Sequence, residues 1–167
     1  MDYKSVFRTI GTLAAVCVGL TAARADETCN SPYISKLIKG QEDYVYVWTL
    51  GVEGLGDGSD KLVTVDVNPK SKSYGKVLNS VSTGTRAEAH HMGFTDDRRH
   101  IWAGGLSESR IWVFDIATDP AKPKLVQTIS DLDAKSGYLG PHTYYALPGR
   151  MLVQALSNTK DKGGVTG

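Results

Sequence analysis

The stretch Lys61-Leu-Val-Thr-Val-Asp-Val67 recurs 49 residues later as Arg110-Ile-Trp-Val-Phe-Asp-Ile116. Both stretches are rich in β-branched residues and are bounded by turn-forming residues, so each predicts a strand. Two more pairs repeat: residues 77–82 match 125–130 at an offset of 48, and residues 100–106 match 151–157 at an offset of 51. A period near 50 residues with four strands in each unit is typical of β-propeller blades.

The repeat predicts one complete blade, whose innermost strand begins at His91 and whose second, third and outer strands begin at His100, Arg110 and Lys124. The chain enters partway through an earlier blade and leaves partway through a later one. It therefore holds about two and a half blades of a ring that closes with about four to eight. We predict an all-β propeller fragment, with one short helix over residues 31–39 before the first strand. The predicted strands outside the innermost positions are 44–50, 61–67, 76–82, 101–103, 110–116 and 124–129.

The first 25 residues have the three-part organisation of a secretory signal peptide. Lys4 and Arg8 precede an apolar run over residues 10–20, and Ala23-Arg24-Ala25 offers a small-residue cleavage site. The apolar run has eleven residues, whereas a transmembrane helix needs about 20, so a membrane anchor is the less favoured alternative. We expect cleavage after Ala25, export to the periplasm without a membrane anchor, and a mature domain over residues 26–167 that is the N-terminal part of a propeller.

Removal of the leader changes the charge and the cysteine content. The whole chain has 19 basic and 18 acidic residues, of which the leader holds three basic residues and one acidic residue. The mature part therefore has 16 basic and 17 acidic residues and a net charge near −1. No basic stripe remains, so nucleic-acid binding is not expected. The leader also contains Cys17, which leaves Cys29 as either a free thiol or a partner for a cysteine outside this sequence. A disulfide framework is excluded.

Three of the four histidines lie where predicted innermost strands begin: His90 and His91 in one blade and His142 in the next. Innermost strands line the central channel of a propeller, so equivalent side chains of neighbouring blades meet at its mouth. Neutral imidazole is the commonest metal ligand in proteins and suits copper, zinc, iron and nickel. The pattern predicts a metal site formed by these three residues. The alternative is a set of unrelated surface or hydrogen-bonded histidines.

Strand geometry indicates which of the repeated polar residues are the better candidates for metal ligands. Neighbouring residues of a regular strand face opposite sides, so His90 and His91 both reach the channel only where the backbone is irregular. The offset of 51 residues aligns His91 with His142, which makes His90 the less certain ligand. We place His100 at the far end of its hairpin, as a structural or surface residue. Asp66 and Asp115 also recur at equivalent positions, and we interpret them as turn carboxylates rather than ligands.

Five groups of residues spread over positions 28–164 carry a family likeness. They are 29–33, 64–71, 88–94 (Glu-Ala-His-His-Met-Gly-Phe), 109–115 with 120–125, and 142–143. Taken together they resemble the selenium-binding protein / methanethiol oxidase family. The resemblance implies a seven-bladed propeller much longer than this chain, with most of its blades following residue 167.

The resemblance also implies a function. Bacterial members are periplasmic copper enzymes that use dioxygen and water to convert the small thiol methanethiol to formaldehyde, hydrogen sulfide and hydrogen peroxide. Carried over by position, His90, His91 and His142 would be copper ligands, and Glu88 would orient one of them. Animal members have a selenium-associated cysteine where this chain has Thr49, so selenium binding through that residue is not expected. The alternative function is a non-catalytic metal- or selenium-binding propeller, since a fold alone does not fix function.

Overall fold

The computed structural model describes residues 31–160. The predicted leader, its cleavage site after Ala25 and the residue Cys29 lie outside this range. None of the helices within the described range is long and apolar enough to cross a membrane. The described residues form two short helices and nine strands, in the order α1 (Pro32–Ser35), β1 (Tyr44–Thr49), β2 (Lys61–Asp66), β3 (Val77–Ser82), β4 (Ala89–Phe94), β5 (His100–Gly105), β6 (Arg110–Asp115), β7 (Lys124–Ile129), α2 (Leu132–Ser136), β8 (Tyr138–Leu147) and β9 (Arg150–Asn158).

The strands form three antiparallel sheets that follow the predicted blades. Blade 2 is complete and has the order β4-β5-β6-β7, with β4 at its inner edge and β7 at its outer edge. Blade 1 consists of β1-β2-β3, and blade 3 consists of β8-β9. By the repeat, blade 1 contributes its second to fourth strands and blade 3 its first two. The prediction of an all-β fold built from partial and complete blades is confirmed.

The helices differ from the prediction. Helix α1 is one turn long, with Ser31 as its N-cap and Pro32 at its first position, and is shorter than the helix predicted over residues 31–39. Leu37 and Ile38, which follow the helix, are 42% and 37% exposed. The sequence does not predict helix α2. It is a single turn of five residues, too short for a recognisable apolar periodicity, and it ends at a left-handed glycine.

Aromatic residues join blade 1 to blade 2. The Trp48 ring lies 5.7 Å from the Trp112 ring and 5.9 Å from the Phe114 ring, measured between centroids. The indole N–H of Trp48 donates a hydrogen bond of 2.9 Å to the backbone oxygen of Gly104. Leu62, Trp112 and Phe114 belong to one buried cluster between the blades. Burying a large apolar side chain contributes about 1.5–3 kcal/mol, so this cluster stabilises the packing of blade 1 against blade 2.

Glycines allow blade 3 to approach blade 2 closely. A Cβ atom on Gly93 would lie 2.7 Å from the Cβ of Tyr144, and one on Gly104 would lie 2.4 Å from the Tyr144 hydroxyl oxygen. Tyr144 is only 1% exposed, so its ring fills the space that these two glycines leave. The close approach brings β8 alongside β4, the two strands that carry the predicted metal ligands.

Polar contacts fix the end of the blades where residues 95–99 connect β4 to β5. The guanidinium of Arg98 donates two hydrogen bonds, of 3.0 and 2.7 Å, to the two carboxylate oxygens of Glu42. Arg98 also lies over the Phe94 ring, 5.0 Å from its centroid. The Ser31 hydroxyl donates a hydrogen bond of 2.7 Å to the backbone oxygen of Ala146 in β8. These contacts tie the segment that precedes β1 to blades 2 and 3.

The repeated aspartates serve turns, as expected. Asp66 accepts hydrogen bonds from the Asn68 backbone N–H and the Ser73 hydroxyl. Asp115 accepts hydrogen bonds from the backbone N–H groups of Ala117 and Thr118. Both carboxylates therefore cap the turn that follows a third strand, and neither belongs to the cluster of His90, His91 and His142.

Candidate metal centre

A β-bulge places both histidines of blade 2 on the same side. In the pairing of β4 with β5, Ala89 lies opposite Gly105 and Met92 lies opposite Ala103. His90 and His91 thus share a single partner position, which defines a bulge. A regular strand would send the two side chains to opposite faces. The irregularity that both imidazoles need in order to converge is therefore present.

Blade 3 repeats the bulge at the equivalent place. Pro141 lies opposite Ala155 and Tyr144 lies opposite Val153, so His142 and Thr143 share one partner position. The first bulge residue of blade 2 is His90, and the first of blade 3 is His142. The offset between the two strands is therefore 52 residues rather than 51. The prediction that His91 is the counterpart of His142 is wrong by one residue: the counterpart is His90, and Thr143 takes the place of His91.

The three imidazoles form one compact cluster. Ring centroids are 4.6 Å apart for His90 and His91, 4.7 Å for His90 and His142, and 4.2 Å for His91 and His142. One nitrogen of each ring lies within 4.8 Å of those of the other two. His91 and His142 are half-buried and His90 is exposed, so one side of the cluster opens to solvent.

Packing favours the neutral form of the two inner rings. Burial lowers the pKa of His91, and the nearby imidazoles of His142 and His90 lower it further. Burial and the imidazole of His90 also lower the pKa of His142. An ordinary histidine has a pKa near 6.5. Both rings are therefore predominantly neutral at pH 7, which is the form that binds metals.

Left-handed residues precede both bulges. Glu88 has a φ of 62°, and Gly140, which is 52 residues later, has a φ of 66°. Glycine adopts this conformation freely, whereas for an L-residue such as glutamate it costs about 1–2 kcal/mol. The Glu88 side chain is exposed and lines an open groove of about 410 Å³ with Leu50, Arg86 and Ser107. Within residues 31–160 it makes no hydrogen bond to an imidazole, so the expected orienting role of Glu88 has no contact to support it.

Thr143, which the sequence does not single out, contacts the cluster directly. Its hydroxyl oxygen lies 2.9 Å from Nδ1 of His142. Consecutive side chains meet at this point because the bulge turns both to the same side. The fourth histidine lies elsewhere, as expected. His100 begins β5 beside the turn at the opposite end of the hairpin, and its backbone oxygen accepts from the Thr95 N–H.

Residues 23–167 match the family described as 56 kDa selenium-binding protein (SBP56). The chain belongs to this family. Among SBP56 relatives, a methanethiol oxidase of Hyphomicrobium sp is 64% identical over 143 residues, covering 86% of this chain and 33% of the relative. A methanethiol oxidase of Ruegeria pomeroyi is 56% identical over 163 residues, covering 95% of this chain and 37% of the relative. This chain thus spans about a third of the length of these curated relatives.

A solved structure shares the fold. The X-ray structure of a hypothetical selenium-binding protein from Sulfolobus tokodaii superposes with a TM-score of 0.69 at 28% identity, covering 78% of this chain and 33% of that one. The part that matches this chain therefore makes up about a third of that protein.

The SBP56 cluster fits a metal ion that prefers nitrogen ligands. Imidazole nitrogens bind zinc at about 2.0–2.1 Å, so two such ligands are at most about 4.2 Å apart. The three nitrogens of the cluster lie within 4.8 Å of one another, and a small ring rotation covers the difference. Imidazole also suits copper, which binds most such sites more tightly than other divalent first-row metals. The donor set is therefore compatible with copper.

Proposed function

We propose that this chain is the N-terminal third of a copper-dependent methanethiol oxidase. The observation that carries the proposal is the convergence of three imidazoles from two blades at one solvent-open point. Two relatives that are 64% and 56% identical are named methanethiol oxidases. Nine strands within 33% of a relative's length scale to about 27, close to the 28 of seven four-stranded blades. The remaining blades would complete the ring and the metal's coordination.

The proposed reaction is balanced without another co-reactant. One methanethiol, one dioxygen and one water give one formaldehyde, one hydrogen sulfide and one hydrogen peroxide. The carbon loses two electrons and dioxygen gains them. Bound copper would supply the one-electron chemistry with dioxygen that side chains cannot supply. His90, His91 and His142 would hold it, and the exposed side of His90 leaves room for a small thiol to approach.

The open groove next to the bulge is suited to receive the thiol. It is lined by Leu50, Arg86, Glu88 and Ser107, and Glu88 lies two residues before His90. A nearby cation favours a thiolate over a thiol. Arg86 would therefore favour the thiolate, against the opposing charge of the Glu88 carboxylate in the same groove, and Leu50 would contact the methyl group of the substrate.

Oxygen consumption with methanethiol tests the proposal. The assay needs the full-length protein, by which we mean this chain together with the blades that follow it. We expect copper-loaded protein to consume dioxygen and release hydrogen peroxide in equal amounts. His91→Ala and His142→Ala should abolish both and lower the copper content. The matched control is His100→Ala, at the other end of the hairpin, which should change neither. Full copper and full activity in the first two variants would refute the site.

A second candidate is a non-catalytic metal- or selenium-binding propeller. It is favoured by the description of the Sulfolobus tokodaii relative as a selenium-binding protein. Thr49, at the position where the family resemblance implies a cysteine in animal members, donates its hydroxyl to the Lys61 backbone oxygen and offers no thiol. Protein that binds copper stoichiometrically but consumes no dioxygen with methanethiol would support this candidate over the oxidase.

We further propose that the protein is periplasmic. The supporting observation is the leader pattern over residues 1–25, with positive charges, an apolar run and a small-residue cleavage site in order. Protein isolated from its native host should begin at Asp26. An intact Met1 on mature, active protein would contradict export through a cleaved signal peptide.

A further inference from the structure

Thr143 occupies a special place in the repeat. The two bulges each present two side chains at the same end of neighbouring strands. In blade 2 both are imidazoles, whereas in blade 3 the second position holds a hydroxyl. The cluster is therefore built from three imidazoles and one threonine rather than from four equivalent groups. The threonine contacts a predicted ligand, His142, and no other ring in the cluster has such a partner among the described residues.

The chemistry of the contact depends on which atom carries the proton. A neutral imidazole has one protonated nitrogen and one with a free lone pair. If Nδ1 of His142 is protonated, it donates to the Thr143 oxygen 2.9 Å away, and Nε2 keeps the lone pair that a metal requires. Ligating histidines commonly donate their second ring N–H in this way, which fixes the tautomer and the ring orientation. The reverse arrangement would leave Nε2 protonated and unable to bind.

We propose that Thr143 is a positioning residue that holds His142 as an Nε2 ligand. This role rests on the metal site proposed above. In the metal-bound form the hydroxyl accepts from Nδ1–H, which engages that atom and prevents the ring from turning Nδ1 towards the ion. The bulge is needed for this contact because it places consecutive side chains on one side of the strand.

Substitution of Thr143 tests its role in the full-length protein. Thr143→Val keeps the shape and the β-branch but removes the hydroxyl, and Thr143→Ser keeps the hydroxyl. The measurements are the affinity for copper(II), determined by competition with a chelator, and the electron paramagnetic resonance spectrum of the bound ion. We expect the valine variant to bind copper about 10–100-fold more weakly with an altered spectrum. The serine variant should stay close to wild type in both.

The outcomes separate the role of Thr143 from the proposed function. Valine and serine variants that both bind copper with wild-type affinity and spectrum would refute the role of Thr143, while the metal site would stand. Wild-type protein that binds no copper would refute both. Thr143→Ala serves as a second hydroxyl-free variant if the valine variant does not fold, and it should show the same loss of affinity.

Discussion

Gly104→Ala should move the histidines of the metal site apart without changing any of the three. The new Cβ would lie 2.4 Å from the Tyr144 hydroxyl and 2.9 Å from the Pro141 backbone oxygen. Non-bonded heavy atoms prefer roughly 3.5 Å, so β8 must move away from β5 by about 1 Å. Overpacking of this kind costs about 1–3 kcal/mol of stability. Because His142 lies in β8, the same movement separates its ring from those of β4. Loss of support for a metal ligand typically lowers metal affinity about 10–100-fold, and we expect a fall of about 10-fold here.

A second substitution distinguishes this clash from other effects of the alanine. Tyr144→Phe removes the clashing oxygen, and the Tyr144 hydroxyl has no hydrogen-bond partner within the described residues. Its loss alone should therefore change stability little. In the double variant part of the lost stability and copper affinity should return, because the clash with the Pro141 oxygen remains, giving a coupling energy of about 0.5–1 kcal/mol in a double-mutant cycle.

Urea unfolding and copper competition, both on the full-length protein, are the assays. Wild-type stability and copper affinity in Gly104→Ala would show that the spacing between blades 2 and 3 does not position the site. Additive effects of the two substitutions would show that the Tyr144 oxygen is not the atom that forces the strands apart.

Three other perturbations follow from the same structure. Glu42→Gln should cost about 0.5–1.5 kcal/mol by weakening the pair with Arg98. The hydrogen bonds from Arg98 lower the pKa of Glu42. The stability that the pair contributes is therefore present above the ordinary carboxyl pKa and is lost as the pH falls through the lowered pKa. Unfolding measured at several pH values would show this loss. Glu88→Gly should raise stability by about 0.5–1 kcal/mol because glycine relieves the left-handed strain, and an unchanged or lower melting temperature would contradict it. Residues 26–167 expressed alone should aggregate or melt without cooperativity, because Val45 and Val47 are 43% and 42% exposed on β1, which within the described residues pairs with β2 alone. A sharp melt from a monomer in calorimetry would refute this.

The strands were predictable because their pattern is local and repeated. Strands β1 to β7 begin within two residues of the predicted positions, since β-branched runs between turns specify strands directly. The order of blade 2 followed from the period alone. The helices were not predictable in the same way: α1 and α2 are single turns, and whether such a turn forms depends on neighbours that the local sequence does not reveal.

The histidine cluster was predictable in its membership but not in its register. Repetition identified His90, His91 and His142, yet the sequence alone does not show which histidine of the adjacent pair shares the backbone position of His142, and the alignment chose His91 instead of His90. The contact made by Thr143 was hidden because consecutive residues of a regular strand are expected to face apart. One available signal was Gly140, which precedes His142 by two residues as Glu88 precedes His90 and indicates a shared backbone turn.

The most direct test of the copper site is X-ray absorption at the copper edge on full-length protein. We expect nitrogen scattering of the imidazole type at about 2.0 Å in wild type, with one imidazole fewer in His142→Ala and an unchanged spectrum in His100→Ala. A wild-type spectrum without imidazole ligands, or one that His142→Ala leaves unchanged, would contradict the assignment of the histidine cluster as the metal centre.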